Sequence, residues 1–154
     1  MLVAACALLA VGIALAVDEG NDSPERSAPE TRVQVGDASV RAEVADDEAS
    51  RQRGLSGRDG LAADEGMLFL LSDDSPSFWM KGMRFSLDIV WIRDGRVVDV
   101  AAGVPPPRGS NAPLPTYSPD RPADRALEVN AGWAADHGIR RGDAVRVRRG
   151  GGSG

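Results

Sequence analysis

Apolar residues alternate with polar ones, with a period of two, along much of the chain between residues 31 and 149. The first examples are Val33 with Val35, and Val40 with Ala42, which are separated by polar or charged residues. Such alternation is typical of strands that turn one face to a core and the other to water. Gly-Asp and Asp-Gly pairs between the runs favour tight hairpin turns. The pattern therefore predicts a fold built mainly of β-strands.

Further short apolar runs bring the predicted number of strands to about seven. They lie at residues 67–71, 78–80, 87–92, 97–100, 125–129 and 145–147. Two short helices are predicted, one capped by Asp46 and ended by Gly54, the other capped by Asn130 and ended by Gly138. Many short strands with brief helices favour a small barrel or a folded-over sheet, because closure removes exposed edges. The predicted fold class is mainly β with two short helices (α+β).

Length and charge exclude several classes of protein. The chain has 154 residues, which fits one domain with short extensions. Its net charge of −5 argues against nucleic acid as a partner, because the phosphate backbone favours a basic surface. The single Cys and single His exclude a disulfide framework and a zinc site of the usual ligands. We predict no metal, no cofactor and no assigned catalytic residue.

The first seventeen residues have the composition of a targeting segment. Residues 2–17 carry no charged side chain, and an acidic stretch begins at Asp18. The apolar run has the length of a signal-peptide core and is shorter than the ~20 residues that a membrane-spanning helix needs. Residues 14–16, Ala-Leu-Ala, match the small-x-small pattern of a cleavage site, which predicts a mature start near Val17. Because no basic residue precedes the run, residues 1–17 are either a signal peptide or an uncleaved N-terminal anchor.

Composition divides the rest of the chain. Residues 18–30 hold five acidic residues, one Arg and two Pro, which predicts a flexible acidic linker. Residues 31–149 are predicted to form a single β-rich domain, and the Gly-rich residues 150–154 a flexible tail. We expect an exported protein that is secreted, periplasmic or held on the extracellular face of the cytoplasmic membrane. In the last case residues 2–17 would be the membrane tether.

Five sequence blocks in a fixed order resemble a known family. They are Arg51-x-x-Gly54-Leu55-x-x-Arg58, Gly66-Met67-Leu68-Phe69, Phe78-Trp79-Met80-Lys81, Leu87-Asp88, and Leu127-Glu128 with Gly132-Trp133. Over roughly residues 33–147 the chain resembles the bacterial and archaeal proteins of domain of unknown function family 192, which often follow an export signal. It departs from the family pattern at Ser56, where Met is usual, and at Gly82, where Asn is usual. The resemblance strengthens the predicted fold and leaves the activity open.

Asp88 is the clearest polar residue in apolar surroundings. It lies in the run 87–92, both faces of which are predicted to be covered. An unpaired buried charge is strongly destabilising, so a carboxylate at this position needs a partner. We expect either an internal ion pair with Arg51, Arg58 or Lys81 that fixes the strand register, or a carboxylate that faces a ligand.

Glu128 and the pair of Trp79 with Lys81 are further candidates for ligand binding. Glu128 lies on a strand predicted to have one wet face, where it is either a solvated charge or a ligand-binding group. Trp79 and Lys81 are two residues apart in an extended run, so they point to the same side. An aromatic ring beside a cation can hold a sugar ring or a carboxylate. The alternative, which we favour, is that Trp79 packs in the core while Lys81 reaches the rim.

Residues 104–122 contain seven of the ten prolines and form a long predicted loop. Loops of this length often act as lids or binding loops, and proline restricts the shapes available to them. The loop is therefore either a flap over the barrel mouth or a stiff connector.

Two functional hypotheses follow. The first is a non-catalytic ligand-binding or accessory module of the cell envelope. It would hold a small polar ligand or an envelope component through Arg51, Arg58, Trp79, Lys81, Asp88 and Glu128. The second is a hydrolase or lyase in which Asp88 and Glu128 act as acid and base, which requires carboxylates within about 10 Å of each other. A third, structural or partner-docking role would use the basic C-terminal strand.

Overall fold

The computed structural model describes residues 31–72, 75–109 and 113–150. The predicted leader at 1–17 and the acidic linker at 18–30 lie outside these residues, as do residues 151–154 of the predicted tail. In the part of the chain that is described, no helix has the length and apolar character needed to cross a membrane.

Nine strands and two short helices account for the regular structure of the described residues. In chain order they are β1 (Thr31–Val35), β2 (Ala38–Ala45), α1 (Glu48–Arg53), β3 (Glu65–Leu70), β4 (Phe78–Trp79), β5 (Leu87–Arg93), β6 (Arg96–Val104), β7 (Thr116–Tyr117), β8 (Arg125–Asn130), α2 (Trp133–Asp136) and β9 (Val145–Arg149). The prediction of a mainly β fold with two short helices is confirmed.

Seven of the strands form one curled sheet, in the order β6-β5-β8-β3-β2-β1-β9, while β4 and β7 form a separate pair. Neighbouring strands of the large sheet are antiparallel except β2 and β3, which are parallel and are connected through α1. The two edge strands meet at one end, where Arg96 bridges Ala144 and the Val145 amide donates to the Gly95 carbonyl at 2.8 Å. The sheet is therefore a half-barrel, in agreement with the folded-over sheet predicted from the sequence.

Each face of the half-barrel packs against its own apolar core. All seven strands contribute to the concave core, which includes Val33, Val90, Leu127 and Val145 and is completed by Trp133 of α2. The convex core is built on Met67, Phe69, Leu87, Ile89, Trp91 and Ala126 and is covered by Leu55, Met80 and Met83. Because both faces of β5 and β8 are covered, every residue from Leu87 to Ile92 is buried. Polar residues on these two strands therefore lie in apolar surroundings.

The helices start at positions that differ slightly from the predicted ones. Asp47, not Asp46, caps α1, because its carboxylate accepts from the Ser50 amide at 2.7 Å while the Asp47 amide donates to the Ser50 hydroxyl oxygen at 3.2 Å. Gly54 ends α1 as predicted, with a positive φ of 48°. α2 begins after Gly132 and has no side-chain cap from its own N-cap residue. Asn130 instead ends β8, and its amide nitrogen donates to the Ala62 carbonyl at 2.9 Å.

Gly66 allows β3 and β8 to approach closely. A Cβ atom at this position would lie 2.7 Å from the Glu128 carbonyl oxygen, a contact that a real side chain could not make without moving the backbone. The neighbouring pair Met67 and Glu128 are directly opposite each other in the same ladder. The absence of a side chain at residue 66 thus sets the position of the strand segment that carries Glu128.

Candidate functional site

A pocket of about 340 Å³ opens on the convex side of the sheet, between α1 and β4. Its volume is at the lower end of the range for small-molecule sites. Of the six predicted ligand-binding residues, Arg51, Trp79 and Glu128 line this pocket. The full lining is Glu48, Arg51, Gln52, Arg53, Gly54, Leu55, Ser56, Phe69, Leu71, Ser72, Pro76, Ser77, Phe78, Trp79, Met83 and Glu128. We call it the α1–β4 pocket.

Glu128 is the one residue of β8 that lines the pocket, and it is only 7% exposed. Its neighbours across the ladder are Met67 on β3 and Ile89 on β5. Among the described residues, its carboxyl group has no hydrogen-bond or ion-pair partner, and burial raises the pKa of Glu128 from 4.5 to about 8. The cause is desolvation, which disfavours the charged form. The expectation of a solvated charge is wrong, because the convex face of β8 is covered.

Arg51 lines the same pocket but directs its guanidinium to other groups. Its Nη1 donates to the carbonyl oxygens of Asp46 and Leu70, at 2.9 and 3.2 Å. Its Nη2 lies 3.4 Å from a carboxylate oxygen of Glu48, one turn earlier on α1. Arg51 therefore fastens α1 to the end of β3, and none of these contacts involves Asp88 or Glu128.

Trp79 faces outward from β4, whereas its neighbour Phe78 faces the core. Trp79 is 56% exposed, so the expectation that it packs in the core is wrong. The adjacent Phe78 packs edge-on against Phe69 and against Trp91, with ring centroids 4.9 Å apart in each pair. Lys81 Nζ lies 5.4 Å from the centroid of the Trp79 ring, within the range of a cation–π contact. Trp79 and Lys81 thus lie on one side of the chain, although β4 ends at Trp79 and Lys81 lies in the turn that follows rather than in an extended run. Trp79 forms part of the pocket rim.

The second half of the proline-rich loop supports this rim. Its residues Thr116 and Tyr117 form β7, which pairs with Trp79 and Phe78 of β4. Residues 110–112 of the loop lie outside the described part of the chain. The loop is therefore attached to the strand that presents Trp79.

Asp88 lies on the other face of the sheet from the pocket. It is fully buried and accepts hydrogen bonds from the Gly103 amide at 2.8 Å and from the Ala134 amide at 2.9 Å. Ala134 is in the first turn of α2, so Asp88 supplies the cap that α2 lacks locally. The expected ion pair with Arg51, Arg58 or Lys81 is not formed, since two backbone amides satisfy the carboxylate instead.

Arg58 is committed to a surface ion pair. Both of its terminal nitrogens donate to Glu43 on β2, at 2.5 and 2.7 Å. The paired guanidinium lowers the pKa of Glu43, and the carboxylate raises the pKa of Arg58. Neither Arg58 nor Lys81 lines the α1–β4 pocket. The structure therefore brings Arg51, Trp79 and Glu128 together in the pocket lining and keeps Lys81 beside Trp79. It separates Asp88 and Arg58 from this group.

Several pocket residues were not predicted from the sequence. Phe69 and Phe78 form the apolar wall, and Arg53 and Ser56 lie at the end of α1 and in the turn that follows. The Ser56 hydroxyl donates to the Lys81 carbonyl at 2.7 Å, and a Cβ at Gly82 would lie 3.3 Å from Ser56 Cβ. The two departures from the family pattern are thus in contact with each other. Because both departures from the family pattern lie next to β4, they were the sequence feature that could have indicated this part of the site.

Among the residues that the structure describes, no group of three or more His, Cys, Asp or Glu side chains could hold a metal ion. What the α1–β4 pocket can bind therefore depends on the polar side chains in its lining. A buried carboxyl group, two guanidinium groups and an exposed indole can hold a small molecule by hydrogen bonds and ring contacts.

Similar solved structures include proteins from two bacteria. A protein of unknown function from Novosphingobium aromaticivorans is 33% identical, with a TM-score of 0.68 over 75% of this chain and 83% of that one. A putative transcription regulator from Sinorhizobium meliloti is 26% identical, with a TM-score of 0.67 over 77% of this chain and 92% of that one. No curated protein matches the chain. The model of the family DUF192, described as "Uncharacterized ACR", matches residues 31–147, and the chain therefore belongs to this family.

Proposed function

We propose that this protein is a non-catalytic binding module that holds a small polar molecule in the α1–β4 pocket. The observation that carries the proposal is the Glu128 carboxyl group, which lines the pocket, is buried and has no described partner. The Glu128 oxygens are not among the fully buried unpartnered atoms of the described residues, so they are accessible from the pocket, where a bound molecule would replace water as their hydrogen-bond partner. A bound molecule would satisfy Glu128 at the inner end of the pocket.

The rim supports the same proposal. Trp79 is the one large aromatic side chain that is strongly exposed among the described residues, and it stands at the pocket with Lys81 over its ring. An exposed indole beside a cavity with both apolar and polar lining is a surface on which a flat or ring-shaped part of a ligand can stack. Phe69 and Phe78 supply the apolar wall between the rim and Glu128.

The alternative of a hydrolase or lyase loses its support. Asp88 is paired with Val129 and Ile89 with Glu128, so the two carboxyl groups project to opposite faces of the sheet. Asp88 is also held by two backbone amides. A general acid and a general base must reach the same substrate group, and this pair does not face a common space.

We propose further that the module works outside the cytoplasm, as residues 1–17 suggest. Mass spectrometry of the protein purified from its source cells gives a direct test. A mature N-terminus near Val17 supports cleavage and release, and an intact N-terminus in the membrane fraction supports a tether through residues 2–17. An intact N-terminus in the cytoplasmic fraction would contradict export in either form.

The binding proposal can be tested through tryptophan fluorescence of the purified protein. Trp91 and Trp133 are buried in the two cores, so a change of emission on adding ligand should come mainly from Trp79. We would titrate sugars, polyols, amino acids, amines and cell-envelope fragments and repeat the titrations by ligand-observed NMR. Any molecule that binds should lose at least tenfold in affinity in Trp79→Ala and in Glu128→Gln.

Asp136→Asn is a matched control, because Asp136 is an exposed carboxylate on α2, outside the pocket lining. This variant should bind as the wild type does. The proposal fails if the whole panel is silent by both methods, or if the ligands that bind are unaffected by Trp79→Ala and Glu128→Gln.

A further inference from the structure

The inner end of the α1–β4 pocket lacks a counter-charge for its carboxyl group. The strands beside Glu128 place Met67 and Ile89 next to it, and neither side chain can be ionised or donate a hydrogen bond. The side chain is more than nine-tenths buried, so bulk water contacts little of it. A carboxylate in this setting is stabilised most by a cation that enters the pocket from outside.

The other charged side chains of the pocket lining come from α1, and none of them forms a hydrogen bond or ion pair with Glu128 among the described residues. Arg51 is held by two backbone carbonyls and by Glu48, and none of its contacts is with Glu128. Arg53 is exposed and lies in the last turn of the helix. The chain thus carries cations close to the pocket and leaves Glu128 without one.

The apolar wall suits an organic cation better than a metal ion. Phe69 and Phe78 line the pocket beside Glu128, and Trp79 stands at the rim. Ring faces attract ammonium groups, and the contact of Lys81 with Trp79 is an example within this chain. A metal ion would need several oxygen, nitrogen or sulfur ligands, and the described residues contain no such cluster.

From this arrangement we infer that the molecule bound in the α1–β4 pocket carries a protonated amine, which pairs with the Glu128 carboxylate. The inference rests on the proposed function and specifies the class of ligand. The remainder of the ligand is apolar or aromatic and lies against Phe69, Phe78 and Trp79. No covalent bond forms.

Binding of such a cation is linked to loss of a proton from Glu128. The pKa of Glu128 in the empty pocket is about 8, so at pH 7 most molecules hold the proton and release it to solvent when the ammonium group binds. At pH 7 about 0.9 proton should be released for each amine bound. Between pH 6 and pH 9 the affinity for an amine should rise about 100-fold, as the ionised fraction of Glu128 rises.

The test uses a matched pair of probes, cyclohexylamine and cyclohexanol, with the full chain. Titrations followed by NMR at pH 6, 7, 8 and 9 give the affinity of each. We expect cyclohexylamine to bind at least tenfold more tightly than cyclohexanol at pH 9 and to lose this advantage towards pH 6. Glu128→Gln should bind the two probes alike and without dependence on pH, whereas Asp136→Asn, on α2 and outside the pocket lining, should behave as the wild type.

A second measurement does not depend on whether Glu128→Gln folds. Calorimetry of the wild type at pH 7, in two buffers that differ in their enthalpy of ionisation, reports protons released on binding. Equal heats in the two buffers, or equal affinity for the amine and the alcohol at pH 9, would overturn the inference, as would no binding of the amine at all. Binding of uncharged members of the wider panel, lost in Trp79→Ala and in Glu128→Gln, would then leave the proposed function standing, so the two failures are distinguishable.

Discussion

Asp88 and Glu128 lie on neighbouring strands and are both buried, but they face opposite cores. Asp88 is directly opposite Val129, so Glu128, one residue earlier on β8, projects to the other side of the sheet. Two backbone amides satisfy Asp88, whereas Glu128 has no partner among the described residues. Two carboxyl groups of similar burial therefore have different roles. Asp88 joins α2 and β6 to β5, and Glu128 is left available to the pocket.

Replacing Asp88 with Asn should destabilise the fold. The amide keeps one acceptor oxygen but turns an NH₂ group towards a backbone N–H, either of Gly103 or of Ala134. Losing one charge-assisted hydrogen bond and leaving a buried donor unsatisfied should lower the free energy of unfolding by about 2–4 kcal/mol. Urea unfolding measures this, with Asp136→Asn on exposed α2 as the matched control. An Asp88→Asn protein as stable as the control would contradict the capping role.

The stability of the protein should fall as pH rises through the range in which Glu128 ionises. In the folded state the pKa of Glu128 is about 8, against 4.5 for the free side chain, because burial disfavours the charge. Between these values the folded state holds a proton that the unfolded state releases, so raising the pH favours unfolding. The contribution is complete below about pH 4.5 and is lost by about pH 8. The total loss approaches about 5 kcal/mol.

Glu128→Gln isolates this effect, because an amide of the same shape carries no charge at any pH. Chemical unfolding at each pH unit from 5 to 9 should show a shallower decline for this variant, which should be more stable than the wild type at pH 9. Glu48→Gln, which removes an exposed carboxylate of α1, should keep the wild-type pH profile. If Glu128→Gln and the wild type lose stability equally between pH 5 and pH 9, Glu128 is not the group responsible.

Local patterns predicted the strands well because alternation and turn residues are properties of short segments. The Gly36, Gly95 and Gly142 turns and the buried run 87–92 are all found where expected. The curled sheet was also predictable, because a fold of many short strands must protect the exposed edges of its sheet. The parallel pair β2 and β3 is a consequence of α1 lying between them.

The site was harder to predict because it depends on contacts between distant segments. Alternation placed Glu128 outward, and Leu55, Met80 and Met83, which cover that face, are remote from it in sequence. Phe78 faces the core and Trp79 faces outward on a strand whose partner, β7, is nearly forty residues later in the chain. The partners of Asp88 are backbone amides, which leave no signature in a sequence. A search for oppositely charged side chains therefore predicted Arg51, Arg58 or Lys81 as the partner of Asp88, and this prediction is wrong.

Gly66→Ala should be strongly destabilising although the added group is one methyl. The new Cβ would lie 2.7 Å from the Glu128 carbonyl oxygen and 3.2 Å from Val129 Cγ1, so β3 and β8 would have to separate. Overpacking of this kind should lower the free energy of unfolding by about 2–3 kcal/mol. Gly60→Ala is the matched control, since nothing lies within 4 Å of its Cβ position. Thermal unfolding of the two variants gives the comparison, and equal melting temperatures would contradict the close approach of the strands.

Arg32 lies between two other arginines, opposite Arg41 on β2 and opposite Arg148 on β9. Directly opposite residues project to the same face, and like charges in such pairs are destabilising. Asp64 pairs with Arg41 through two hydrogen bonds of 2.9 Å, and Arg32 also helps to lower the pKa of Asp64, but Arg32 itself is in none of the ion pairs found among the described residues. Arg32→Gln should therefore raise the free energy of unfolding by about 0.5 kcal/mol at low ionic strength, and the gain should vanish at ~1 M salt. Urea unfolding at both salt concentrations measures it, with Arg121→Gln in an exposed loop as a control for net charge. If Arg121→Gln raises the free energy of unfolding equally, or if the gain persists in high salt, repulsion among Arg32, Arg41 and Arg148 is not its source.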